Sequence, residues 1–114
     1  MLRYVDRDGG VPHGRTVAGS PYEALVRDTW DTKLWWVHAE ALYALTRYAP
    51  HSPALADAAA RVQEWTMRVF PEPGGEWLQI RDRAGVPLNR VVALPVKDPF
   101  HIARALIFMN RLTA

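Results

Sequence analysis

Between residues 33 and 48 the chain reads KLWWVHAEALYALTRY, apolar on nearly every side of a helical wheel, with Trp35, Trp36, Val37, Ala41, Leu42 and Leu45 spread over several faces. A helix without a broad polar face is buried on most sides. Residues 53 to 70 differ. There Leu55, Ala59, Val62, Trp65 and Val69 recur at helical spacing while Asp57, Arg61, Glu64 and Arg68 fall elsewhere, which predicts a one-sided outer helix. Ser52 and Pro53 supply an N-cap and a first-turn proline. Residues 99 to 112, PFHIARALIFMNRL, are again apolar nearly all round. The predicted order is inner helix, outer helix, inner helix.

Turn-rich segments separate these helices. PEPGGEW at 71 to 77 ends the outer helix with proline and glycine. The following EWLQIRDRAGVPL alternates enough to predict a hairpin turning at Ala84-Gly85, and LRYVDRDGGVP at the start predicts another turning at Gly9-Gly10. Residues 13 to 30 carry little periodicity and read as a variable loop, with a short helix expected at Tyr22 to Val26.

An internal repeat emerges from this order. Residues 5 to 12, VDRDGGVP, lie over residues 80 to 87, IRDRAGVP, which sets Asp6 against Arg81 and Gly10 against Gly85. Each hairpin is followed by a lysine and an aromatic-led inner helix, at Lys33-Leu34-Trp35-Trp36 and at Lys97-Asp98-Pro99-Phe100. Hairpin, inner helix and outer helix form the unit of an all-α toroid. Such a unit cannot bury its apolar face alone, so the chain reads as a fragment of a larger toroid. In isolation it is expected to be poorly soluble or oligomeric.

Composition narrows the class. With 114 residues, about half of them hydrophobic, the chain reads as one unit able to bury a core. No apolar run approaches the roughly 18 residues of a membrane span, so no membrane is expected. The start has no apolar segment of the signal-peptide kind, and cysteine is absent, which fits a cytoplasmic setting. The net charge is only +2, with basic and acidic residues interleaved, as in DRD at 6 to 8, rather than gathered into a stripe. Nucleic acid is therefore not an expected partner.

The chemistry-bearing residues are few. No two of the four histidines, His13, His38, His51 and His101, have a metal-binding helical spacing, and no Walker, dinucleotide or GxSxG motif occurs. No metal and no cofactor is expected. Asp98 and Pro99 are placed to cap and open the last helix, which puts His101 in its first turn, where the helix dipole favours a neutral imidazole. The alternative is a core histidine bonded to a carbonyl. Arg104 lies three residues on, and in an apolar helix it wants an anionic or polar partner. Glu40 of the first inner helix is one. Trp36 and Glu40 are four apart and share a face, an aromatic platform beside a carboxylate that suits a sugar. Alternatively Trp36 is plain core and Glu40 pairs with Arg104 or Lys33. Trp35 reads as packing, and His38 points away from that face. A glycosidase would need two opposed carboxylates, and Glu40 with Glu76 is the one tempting pair.

At these residues the sequence resembles the N-acylglucosamine 2-epimerase family, through VDRDG (5 to 9), WDTKLWWVHAEALYAL (30 to 45), GEWLQIRDRAGVP (75 to 87) and KDPFHIARAL (97 to 106). The resemblance implies a carboxy-terminal portion of an (α/α)6 barrel with short hairpins at its mouth. It also implies proton transfer at the carbon next to a sugar carbonyl, by two histidines on opposite sides of the pocket. His101 matches the later of the two, and Trp36 and Glu40 match pocket residues that contact sugar hydroxyls, with Arg104 beside them. The earlier histidine belongs to a GHxxExxW segment, which nothing here matches. The implied partner is a small-molecule sugar, and a homodimer of the complete protein fits the same picture. A non-catalytic carbohydrate-binding relic of the fold is the competing expectation.

Overall fold

The computed structural model describes residues 5–12, 31–88 and 99–114. The predicted loop at 13 to 30, and Lys97 with Asp98, lie outside these residues. Three helices dominate: α1 (Trp35–Tyr48), α2 (Pro53–Val69) and α3 (Pro99–Thr113). A two-residue strand β1 (Lys33–Leu34) pairs antiparallel with β2 (Ile80–Arg81), in the register Lys33↔Arg81 and Leu34↔Ile80.

The first inner helix thus starts two residues later than its sequence suggests. Pairing with β2 holds Lys33 and Leu34 extended, and the Trp35 amide donates to the Gln79 carbonyl at 3.0 Å before the helix takes over. Along α1, Trp35, His38, Ala39, Leu42 and Leu45 are buried, the spacing of one helical face. Of these, Trp35, Leu42 and Leu45 pack against Ala58, Ala59, Val62 and Trp65 of α2 and against Phe70, Trp77 and Val11, forming one core. A 3₁₀ turn at Ala49–His51 folds α2 back onto α1. The Ser52 side chain makes no capping bond, contrary to expectation. Its carbonyl accepts instead from Leu55 and Ala56, and Pro53 opens the helix without needing an amide partner.

The other face of α1 meets α3. Trp36 lies beside His101, and Tyr43 beside Phe108, so the contacts advance together along both helices. The two therefore run parallel, with α2 antiparallel behind α1. The nearly all-round apolar α3 is covered only in part, as expected where too few helices are present to bury it. Ala105 is buried, while Phe100, Leu106, Ile107 and Leu112 stay exposed on this helix.

The predicted hairpin turns both form, and a third joins them. In each, an acidic residue's amide donates to the carbonyl four residues on, and a glycine donates back to the acidic residue's carbonyl. The pairs are Asp6 to Gly10 (2.8 Å) with Gly9 to Asp6 (3.0 Å), Glu72 to Glu76 (2.7 Å) with Gly75 to Glu72 (2.8 Å), and Asp82 to Val86 (2.8 Å) with Gly85 to Asp82 (3.1 Å). The three glycines have φ of 96°, 83° and 94°, a region costly for residues with a Cβ. At Gly9 the approach is also tight, since a Cβ would stand 2.3 Å from the Arg61 carbonyl oxygen. This geometry corrects the register of the repeat: Asp6 corresponds to Asp82 and Gly9 to Gly85, one residue from the sequence alignment. The PEPGGEW segment, read as simple punctuation, is the extra copy.

His38 ties the first of these turns to the helix. Its Nε2 accepts from the Val11 amide at 2.9 Å, its Nδ1 faces the Leu34 carbonyl at 2.7 Å, and its ring stacks on Trp65 at 4.9 Å. It does point away from the Trp36 face, as its spacing implies. Burial lowers its pKa from 6.5 to about 4, with the nearby Lys33 charge adding to the effect against the pull of the Leu34 carbonyl and Asp8. The folded state therefore excludes a proton that the unfolded chain accepts. The stabilisation is complete above pH 6.5 and drains away as the pH falls towards 4. By linkage it amounts to about 3 kcal/mol. Urea midpoints measured from pH 7 to pH 4 should fall accordingly for the natural chain and much less for His38→Gln.

Candidate active site

The four residues singled out from the sequence come together where α1 crosses α3. On α1, Trp36 and Glu40 lie one turn apart; on α3, His101 and Arg104 do the same. His101 Nδ1 stands 2.8 Å from Glu40 Oε1, and Arg104 Nη2 donates to Glu40 Oε2. The Trp36 and His101 rings are 5.2 Å apart between centroids. The expected pairing of Glu40 with Arg104 is therefore present. Lys33 is engaged elsewhere: it is fully buried and ion-paired with Asp6, which is mostly buried.

Each partner is fixed by its helix. His101 occupies the first turn of α3, with its ring against Trp36 and Glu40 of α1. Glu40 sits within α1, and its two oxygens are held by His101 and Arg104 of α3. The side chains of His101, Glu40 and Arg104 are about one-third exposed, at 32%, 28% and 30%. The cluster lies at a surface reachable by a small molecule.

Electrostatics decide the charge of Glu40. Burial works to raise the Glu40 pKa, but hydrogen bonds from Arg104 and His101, with their charges, outweigh it and hold the carboxyl below its usual range. Glu40 is an anion and can only accept. The Nδ1 nitrogen of His101 must then carry a hydrogen, which makes Nε2 the basic nitrogen of the neutral ring. A carboxylate that fixes the tautomer and aim of an imidazole is the arrangement of general acid–base sites.

Neither of the other two described histidines contacts this cluster. His38 faces Trp65 on the opposite side of α1, and His51 lies near Tyr48. His13 lies outside the described residues. Glu76, the tempting second carboxylate, is exposed in its turn on a different segment from Glu40. Among the described residues no three His, Cys, Asp or Glu side chains gather as metal ligands, and no helix is long and apolar enough to cross a membrane. Sequence reasoning missed Tyr43 and Phe108, whose rings face each other at 5.4 Å and flank Arg104. Their spacings from Glu40 and Arg104, three and four residues, carried the signal.

Comparison with known proteins agrees with the resemblance read from the sequence. No family model matches the chain. It is 35% identical over 86 residues to the N-acylglucosamine 2-epimerase of Mus musculus and 38% identical over 86 residues to that of Homo sapiens. Each match covers 73% of this chain and 20% of the relative, so the chain spans about a fifth of their length. Its fold matches cellobiose 2-epimerase from Bacillus thermoamylovorans with a TM-score of 0.69 at 27% identity, over 94% of this chain and 26% of the other. With the enzyme from Spirochaeta thermophila the TM-score is 0.68 at 26% identity, over 98% and 28%. The described helices thus correspond to about a quarter of an (α/α)6 barrel.

Proposed function

We propose, from this kinship with a segment of the N-acylglucosamine 2-epimerase family, that the chain carries the carboxy-terminal part of a sugar 2-epimerase or aldose–ketose isomerase. The remaining helices of the barrel would cover the open apolar side of α3. The observation that carries the reading is His101 held by Glu40 at 2.8 Å beside the Trp36 ring. In the open-chain sugar, His101 Nε2 exchanges the proton on the carbon next to the carbonyl. Removing it leaves an enediolate, whose charge needs donors in a dry pocket. Returning the proton to the opposite face of the same carbon epimerises; returning it to the neighbouring carbon isomerises. A second histidine from the rest of the barrel completes the exchange. Trp36 offers an apolar face to the sugar ring.

Glu40 is assigned here an orienting role first, because both of its oxygens are already engaged. The substrates to try are N-acylglucosamine and cellobiose, after the names of the relatives. The complete protein is taken to be a cytoplasmic homodimer that uses no cofactor. Glu40→Gln should lower kcat by about 100-fold with little change in KM, since it removes the tautomer-fixing anion. A raised KM at unchanged kcat would return Glu40 to the role of a sugar-hydroxyl contact.

A second reading is sugar binding without turnover. The exposed Trp36 ring beside Glu40 favours it, because an aromatic face can hold a sugar without any proton transfer. Isothermal titration that shows sugar binding, with no proton exchange at the sugar, would support it.

A further inference from the structure

The Arg104 guanidinium is held in an unusual way. Its Nη2 reaches Glu40, while its buried Nε has no partner among the described residues. Leaving a buried donor unpaired is unfavourable, so something else must keep the group in place. Three aromatic rings do so. Arg104 Cζ lies 5.7 Å from the Tyr43 centroid, 5.7 Å from Phe100 and 5.8 Å from Phe108. A guanidinium against an aromatic face is attracted by the ring quadrupole, the more so when water is excluded. Tyr43 and Phe108 belong to different helices, and their contact at 5.4 Å closes the α1–α3 seam on the far side of Glu40 from Trp36.

We infer that Tyr43 and Phe108 are positioning residues, which clamp Arg104 against Glu40 and thereby fix the carboxylate that aims His101. Arg104 is then a strut of the site rather than a substrate ligand. Phe100, one turn before Arg104 and largely exposed, contributes less to the clamp. The inference rests on the proposed function only for its consequence in turnover; the clamp itself is a property of this chain.

The test reads Glu40 directly. Its carboxyl carbon is followed by NMR across pH in the natural chain, in Tyr43→Leu and Phe108→Leu, and in the ring-keeping Tyr43→Phe and Phe108→Tyr. Among the described residues, the charged and titrating groups bonded to Glu40 are His101 and Arg104; Tyr43 lies three residues on along the same helix, and Arg111 shares the Phe108 ring at 5.7 Å. Both leucine variants should move the Glu40 midpoint upward, as the loosened Arg104 stops holding the anion, and both ring-keeping variants should restore it. Folded leucine variants whose Glu40 midpoint matches the natural chain would overturn the inference. Should Phe108→Leu fail to fold, the Tyr43 pair decides, since Tyr43 is only half-buried. In the complete protein the leucine variants should lower kcat about tenfold and leave KM within twofold. Absence of turnover in the unmodified protein would count against the proposed function while leaving the titration result standing.

Discussion

Replacing His101 by alanine in the complete protein should lower sugar turnover by about 10²- to 10⁴-fold, the range typical of losing a positioned general acid–base. The fold should survive, because the His101 side chain is one-third exposed and belongs to no buried core cluster. Helical circular dichroism and the melting temperature of His101→Ala should stay close to those of the natural protein. Turnover is measured by NMR of the anomeric protons. Near-normal activity of the variant would remove His101 from the chemistry.

The largest stability effect is expected at the other end of α1. Lys33 is fully buried, beneath the first hairpin, with its ammonium paired to Asp6 and 5.9 Å from the Trp65 ring. Asp6 is itself mostly buried, and its amide and carbonyl shape the turn that Gly9 closes. Asp6→Asn would leave an ammonium in the interior without an anion. Breaking a buried pair from one side costs about 3–5 kcal/mol, whereas replacing both partners with apolar groups is close to neutral. Urea unfolding of Asp6→Asn should show a loss in that range, and adding Lys33→Met should recover most of it. A loss below about 1 kcal/mol, or no recovery in the double variant, would mean that the pair is not what anchors the hairpin.

The parts of this structure that were legible from sequence are those set by helical periodicity. Trp36 and Glu40, and His101 and Arg104, share faces because their spacings match the helical repeat, so their meeting required only that α1 and α3 pack side by side. The outer position of α2 followed from its one-sided pattern. What sequence left dark depends on contacts distant along the chain. The strand at Lys33 and Leu34 exists because β2 pairs with it, and nothing in the local residues says so. His38 looked idle because its partner, Val11, is far upstream and bonds through a backbone amide that has no residue signature. The repeat register was misplaced by one because two adjacent glycines, Gly9 and Gly10, offer two equally plausible matches to Gly85. The sign of φ at Gly9, Gly75 and Gly85 resolves the choice. Ser52 misled for a related reason: serine before proline at a helix start signals a boundary, but it does not decide whether side chain or carbonyl satisfies the first turn.

The four-residue site was legible in membership and incomplete in role. Sequence left Glu40 open between sugar contact and ion pair. The structure favours a carboxylate committed to His101 and Arg104, and the aromatic clamp around Arg104 deepens that commitment. In this account α1 supplies the anion and the aromatic wall, α3 supplies the base, and the hairpins lock the start of α1 in place through Lys33 and His38.

The most direct test of proton transfer through His101 is isotope exchange. The complete protein is incubated in D₂O with N-acylglucosamine or cellobiose, and the carbon next to the sugar carbonyl is followed by NMR. The account predicts deuterium entering that carbon in the natural protein and falling at least 100-fold in His101→Ala. Exchange that continues undiminished in the His101→Ala protein would contradict it.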